Sequence, residues 1–264
     1  MNRHGRRMQT SLKRKSGAAN LSHLTPVSIQ ISIPSMFQWF AKFAMDMIEM
    51  RDYTIARPLP GFHIDKVAIR NITGSVLSDQ RTWLLEGAIE NKFTHALFVD
   101  TDQTFPSNTL HRLLSWRKPI VACNVAVKQI PSFPTARKLV DDKPIPVFTF
   151  ENSEGLEQVW RVGTGIMLIE LAVLSKLEQP WFKTDSSAEA HRHGEDWWFC
   201  RQLEHAGIPI YVDHGVSRQV GHLGVFEYHH GHVPPEVVAE VDKMEAEDNK
   251  RECESPEIAQ TEIS

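Results

Sequence analysis

The chain has 264 residues, 41% of them apolar and 23% charged, with a net charge of −4. That length can bury one large core, and no apolar run approaches the roughly 20 residues of a membrane-spanning helix. The charge balance gives no general reason to expect a nucleic-acid partner. Three widely spaced cysteines (Cys123, Cys200, Cys253) argue against a disulfide framework and for a reducing, cytoplasmic setting.

Residues 1–25 read as a basic arm carrying Arg3, Arg6, Arg7, Lys13, Arg14 and Lys15. It lacks the apolar segment of a secretory signal. Any nucleic-acid contact is expected through this arm alone. Val27, Ile29, Ile31 and Ile33 alternate with other residues and predict a first strand that Pro34-Ser35 stops. Phe37, Phe40, Ala41, Ala44, Met47 and Ile48 predict a helix over 36–50. Tyr53-Thr54-Ile55-Ala56 reads as a short strand, broken by Pro58, Pro60 and Gly61. Residues 51–76 otherwise give no clear strands. Leu77–Asn91 predicts a helix, and Phe93–Val99 a strand buried on both faces. Ser107 is a candidate N-cap for a helix over 107–116, with Leu110, Leu113 and Leu114 at helical spacing. Pro119–Cys123 predicts another short buried strand.

In the second half, Val147–Phe150 and Gln158–Val162 flank Asn152-Ser153-Glu154-Gly155, which is a hairpin signal. Ile166–Ile169 reads as a buried strand, and a helix is expected over 170–178. Glu195–Ala206 predicts a helix ended by Gly207, and Ile208–Val212 a last strand. Beyond 232 the chain is acidic and poor in large apolar residues, so 233–264 is expected to be a mobile tail. The catalytic unit is thus expected over 26–232. Its alternation of strands and helices predicts an α/β fold: a mostly parallel, doubly wound sheet with a small antiparallel hairpin element.

The chemistry is concentrated at Asp100-Thr101-Asp102, where the strand ending in Val99 opens into a loop. Ligands of open α/β sheets bind beyond the carboxyl ends of the strands. Two carboxylates one residue apart suit a hard divalent cation, Mg²⁺ or Mn²⁺, which in turn binds phosphate oxygens. His222 lies in a Gly-flanked loop, Gly221-His222-Leu223-Gly224, and can complete an oxygen-rich cation site. Glu195 and Asp196 open a helix, where an acid serves the helix dipole or takes a proton from a hydroxyl. Arg81 is a candidate phosphate or nucleotide contact. Gly163-Thr164-Gly165 is too short for a dinucleotide fingerprint. Thirteen histidines include the clusters His191-Arg192-His193 and His229-His230-Gly231-His232, whose spacing matches no metal-ligand set. Trp197-Trp198 can stack on a sugar face or pack in the core.

In order, Phe98-Val99-Asp100-Thr101-Asp102, Phe105-Pro106, Gly163-Thr164-Gly165, Pro180-Trp181-Phe182, Gly194-Glu195-Asp196 with Phe199-Cys200, Tyr211-Val212-Asp213 and Gly221-His222-Leu223-Gly224 resemble the GT-A-fold glycosyltransferases. The likeness is to the compact family-2-like enzymes of bacteria and their phages, and it covers roughly residues 27–225. It implies a nucleotide-diphospho-sugar transferase fold, a DxD motif, a nucleotide-sugar donor, a divalent metal (Mn²⁺ or Mg²⁺) and a hydroxyl acceptor. It further implies that Asp102, Asp100 and His222 serve the metal, and that Asp100, Asp102, Arg81, Gly163 and Thr164 serve the donor. Glu195 and Asp196 match the acidic pair near the acceptor, with Asp196 favoured for the cleft and the other acid left for the helix end. Two other readings stay open: a nucleotidyltransferase, against which the absence of a Gly-rich, Lys-bearing phosphate loop argues, and a non-catalytic nucleotide-sugar-binding module, against which the intact acids argue.

Overall fold

A computed structural model describes residues 23–184, 194–224 and 227–254. The basic arm up to 22, the His191–His193 cluster and the segment after 254 lie outside the described residues. The chain begins with β1 (Thr25–Ser35), α1 (Ala41–Ala56), β2 (Phe62–Thr73), α2 (Leu77–Glu90), β3 (His95–Val99) and β4 (Gln103–Thr104). It continues through α3 (Thr109–Ser115), β5 (Ile120–Ala122), β6 (Arg137–Val140), β7 (Lys143–Pro146), β8 (Leu156–Val159) and β9 (Ile166–Glu170). After it come α4 (Glu195–His205), β10 (Ile210–Asp213), α5 (His214–Ser217), β11 (Gly221–Leu223), β12 (Glu227–Tyr228) and α6 (Pro235–Glu254).

Seven strands form one sheet in the order β2-β1-β3-β9-β5-β10-β8. β2, β1, β3, β5 and β10 run the same way, while β9 and β8 are antiparallel to their neighbours. Two small antiparallel sheets complete the fold, β12-β11-β4 and β6-β7. This is the mostly parallel, doubly wound α/β class with a small antiparallel element expected from the sequence.

Both faces of the sheet are covered, as a parallel sheet requires. On one face Ile29, Ile31 and Ile33 of β1 and Leu97 and Val99 of β3 pack with Phe43, Met47 and Met50 of α1 and Leu110, Leu113 and Leu114 of α3. On the other, Phe98 of β3 and Met167 and Ile169 of β9 pack with Leu84 and Leu85 of α2 and Phe199, Cys200 and Leu203 of α4. Gln30, Ser32 and Ser35 of β1 are buried too. Gln30 Nε2 donates to the Leu84 carbonyl at 2.8 Å and to Ser32 Oγ at 3.0 Å, which satisfies that amide nitrogen beneath α2.

Several local expectations change. Residues 53–56 are the last turn of α1, not a strand. Thr54 faces the core in register with Met47 and Met50, and its hydroxyl donates to the Met50 carbonyl at 2.7 Å. The helix stops at Arg57, because Pro58 disfavours a helical residue before it. The strand that the sequence hid is β2. It is an edge strand pairing only with β1, and its Asp65, Lys66 and Arg70 blur the apolar pattern. The turn at 152–155 exists, with Gly155 at φ +91°, but its arms do not pair with each other. β8 pairs with β10 instead, and the hairpin of this region is β6-β7. Residues 171–176 form a 3₁₀ helix rather than an α-helix. Asn108, not Ser107, holds the position before α3, and no side chain caps it.

The acidic stretch after 232 is not a loose tail over 235–254: it forms α6. Val241 is buried there, and Lys138 of β6 pairs with Glu245 at 2.5 Å. The sequence masks this because only one narrow stripe of α6 is apolar.

Candidate active site

β1 and β3 are parallel neighbours, so their carboxyl ends open on the same side of the sheet. There the backbone leaves the sheet at Asp100, whose N–H donates to the Gly165 carbonyl at 2.9 Å. A tight turn follows, with Gln103 N–H donating to the Asp100 carbonyl at 3.1 Å. The chain then forms β4, which pairs antiparallel with β11 in the register His222↔Gln103. That pairing places the His222 ring against Asp102, with Nε2 3.4 Å from Asp102 Oδ2. His222 therefore sits on a short strand, not in the loop expected from its glycines. A Cβ on Gly221 would meet the Thr104 hydroxyl and the Glu227 carboxylate, so any larger residue there forces those two side chains to move.

The two aspartates have different environments. Asp100 is gripped by Arg81, whose Nη2 donates to Oδ1 at 2.9 Å and to Oδ2 at 3.1 Å. Arg81 is only 2% exposed. Its Nε reaches Glu195 Oε1 at 3.3 Å, its Nη1 reaches the Thr164 carbonyl at 3.4 Å, and its guanidinium lies over Phe98 and Phe182. Burial raises the Asp100 carboxyl to about 6 despite Arg81, and the neighbouring Asp102 and Glu195 add to the rise. Asp102 goes the other way. Burial alone would raise it, but the hydrogen bonds and positive charge of His222 and Lys128 hold it down at about 2. Lys128 Nζ donates to Asp102 Oδ2 at 2.5 Å, and Gln103 Nε2 approaches Oδ1 at 3.4 Å.

His222 Nδ1 lies 2.8 Å from the Ala126 carbonyl. A carbonyl only accepts, so Nδ1 carries the proton. Nε2 then faces the Asp102 carboxylate, as an N–H donor in the charged ring and as a lone pair in the neutral one. A proton on Nε2 satisfies this pair, and its neutral form is also a donor set for a divalent cation, since an imidazole oriented by a backbone carbonyl is the usual build of a metal ligand. Asp102 and His222 thus fit a divalent cation. Among the described residues no group of three His, Cys, Asp or Glu converges as a ready metal site.

An open cleft of about 530 Å³ adjoins Asp100, Thr101, Asp102 and His222. Its far wall is the loop after β1, where Met36, Phe37 and Phe40 are exposed, with Gln80 at the start of α2. Gln80 Oε1 accepts from Ser35 N–H at 2.8 Å and fixes the strand end. Gly163 and Thr164 line no part of this cleft. A Cβ on Gly163 would press on Thr135 at 3.2 Å, and Thr164 is buried beside Arg81. They pack beneath the acids.

Glu195 and Asp196 open α4 close to Arg81. Glu195 pairs with Arg81. Asp196 Oδ1 accepts from the Trp197 N–H at 2.7 Å, and burial first, then Glu195, raises its carboxyl. Asp196 thus engages the helix backbone through one carboxylate oxygen, while Glu195 binds the buried guanidinium. Trp197 and Trp198 have cations over their rings. Arg161 lies 4.4 Å from the centre of Trp197, and Arg201 4.4 Å from that of Trp198. Neither is a core residue.

Lys128, Gln103 and the exposed aromatics after β1 were not singled out by the sequence. Gln103 follows the acidic pair directly. Lys128 belongs to no local pattern.

No family model matches the chain, and no curated protein matches it in sequence. Among solved structures, A197 from STIV shares the fold at TM-score 0.51 and 17% identity, over 75% of this chain and 86% of that one. A second similar structure is S. aureus TarS 1–349 in complex with UDP-GlcNAc, at TM-score 0.41 and 11% identity, over 71% of this chain and 55% of that one. Among the described residues no helix is long and apolar enough to cross a membrane.

Proposed function

We propose that the chain is a metal-dependent glycosyltransferase that moves a sugar from a nucleotide-sugar donor to a hydroxyl acceptor. The observation that carries this reading is the facing pair of Asp102 Oδ2 and His222 Nε2, 3.4 Å apart, at the mouth of the cleft beyond β1 and β3. Asp102 and His222 would hold Mn²⁺ or Mg²⁺, and the cation would offset the charge that develops on the leaving diphosphate. The cleft takes the nucleotide. Phe37 and Phe40 offer exposed rings for a base to stack on, and Asp100 accepts hydrogen bonds from sugar hydroxyls. Arg81 touches no donor in this reading; it fixes the positions of Asp100 and Glu195. Asp196 takes the proton of the attacking hydroxyl. Its raised carboxyl pKa favours proton uptake, and one oxygen is oriented by the Trp197 N–H.

The test is a thermal-shift screen of UDP-, GDP-, CMP- and dTDP-linked sugars with and without Mn²⁺, on wild type and Asp102→Asn. One donor should raise Tm in a Mn²⁺-dependent way, since ligand at 100 times its Kd adds about 2.7 kcal/mol of stability. Asp102→Asn should lose the Mn²⁺-dependent part. If no nucleotide sugar shifts Tm under either condition, the reading is wrong.

A further inference from the structure

Two cations serve the two aspartates, and they are held very differently. Arg81 is 2% exposed, paired to both oxygens of Asp100, and lies over the rings of Phe98 and Phe182. The Lys128 side chain is 38% exposed and, among the described residues, makes one ion pair, to Asp102 Oδ2. That oxygen is the one facing His222 Nε2. Lys128 therefore occupies the corner of Asp102 that a cation shared with His222 needs.

The same stretch of chain supplies both partners of that corner. The Ala126 carbonyl orients His222, and Lys128 lies two residues further along. Unlike the Arg81 guanidinium, whose nitrogens bind Asp100, Glu195 and the Thr164 carbonyl at once, an ammonium on a flexible four-carbon stem can leave its partner by rotating that stem. A dication arriving between Asp102 and His222 would repel it at a separation of a few ångströms. A diphosphate beside that dication would attract it, since lysine binds phosphate as a mobile point charge.

We propose that Lys128 is the resident counter-cation of Asp102, which holds the carboxylate while no divalent cation is bound and moves onto the donor's diphosphate when one enters. The inference rests on the metal site proposed above. Lys128 makes two opposed contributions: it weakens binding of the metal alone and strengthens binding of the nucleotide to the metal-loaded protein.

The experiment uses the full chain and titrates Mn²⁺ alone, then UDP at saturating Mn²⁺, into wild type, Lys128→Gln and Asp102→Asn. Bound and free Mn²⁺ are read by electron paramagnetic resonance, and UDP (or whichever nucleoside diphosphate the donor screen selects) by calorimetry. Circular dichroism checks that each variant is folded. Lys128→Gln should bind Mn²⁺ alone about tenfold tighter and the nucleotide about tenfold weaker, the size of one well-placed charge contact. Asp102→Asn should bind no Mn²⁺. If Lys128→Gln and wild type bind Mn²⁺ with equal affinity, the metal site stands and this inference falls. Tighter Mn²⁺ with unchanged nucleotide affinity also overturns it, because the lysine then has no second station. If neither protein binds Mn²⁺, with or without nucleotide, the metal reading falls and takes the inference with it.

Discussion

Arg81 shows how much one buried charge decides. It is the largest side chain in the fully buried set, and it is tolerated only because Asp100 and Glu195 face it. Arg81→Met should cost about 3 kcal/mol at neutral pH, because it leaves two carboxylates without their counter-charge. The deficit should shrink on acidification. Asp100 already stands at about 6 against 3.8 for the free group, and removing Arg81 lifts it further. The folded variant then binds the proton more tightly than the unfolded chain, so stability rises as pH falls towards 3.8. Urea titrations at pH 7.5 and 5 measure this; a constant deficit between them would show that Asp100 is not the strained group. The acidic pair on α4 separates by the same logic. Asp196→Asn should slow transfer by about 10²-fold with donor and metal binding kept. Glu195→Gln should lower stability more than rate, since its partner is Arg81 and not the acceptor. Equal wild-type rates in both variants would remove the acceptor site from this end of α4.

At the scale of elements, β4 and β11 are five residues in total, yet they bring His222 to Asp102. Gly221 leaves room there for the side chains of Thr104 and Glu227. Gly221→Ala should overpack this joint at a cost of about 1–3 kcal/mol. It should also weaken Mn²⁺ binding, because a shift of β11 carries His222 with it. Chemical denaturation and Mn²⁺ titration of the same variant check both effects; tight Mn²⁺ binding in a destabilised protein would uncouple the strand from the metal site. Helix α6 packs on β6, where Glu245 pairs with Lys138.

At the scale of the molecule, three histidines shielded from water bear on the pH dependence of stability. Burial lowers His95 and His230 to about 4 from the ordinary 6.5, and lowers His111 in the same direction. Between pH 6.5 and 4 the unfolded chain binds protons that the folded chain refuses, so stability falls as pH falls through that window. Asp100 and Asp196, raised by burial, work the other way and partly offset the loss. The double variant His95→Gln/His230→Gln should flatten the decline of the urea midpoint between pH 6.5 and 4.5. An unchanged slope would place the acid sensitivity elsewhere.

Much of the fold was legible because its signals are local. Ile29, Ile31 and Ile33 alternate along β1, Ala96–Val99 run apolar into Asp100, and Gly207 at φ +65° ends α4 as its position predicted. Each rests on the period of a strand, the burial of its faces or the freedom of a glycine, and none needs a distant partner. The acidic pair was likewise readable, because a strand that ends in carboxylates points them out of the sheet. What only the tertiary structure decided depends on residues far apart in sequence. β2 is an edge strand whose charged residues conceal it until β1 pairs with it. Arg81 reads as a free phosphate contact until folding buries it beneath Asp100 and Glu195. His222 meets Asp102 only through the β4–β11 register, and Lys128 arrives from a loop with no motif. Sequence patterns record which face of an element is apolar; they do not record which charge on one element lies against which charge on another, and in this protein that pairing makes the site.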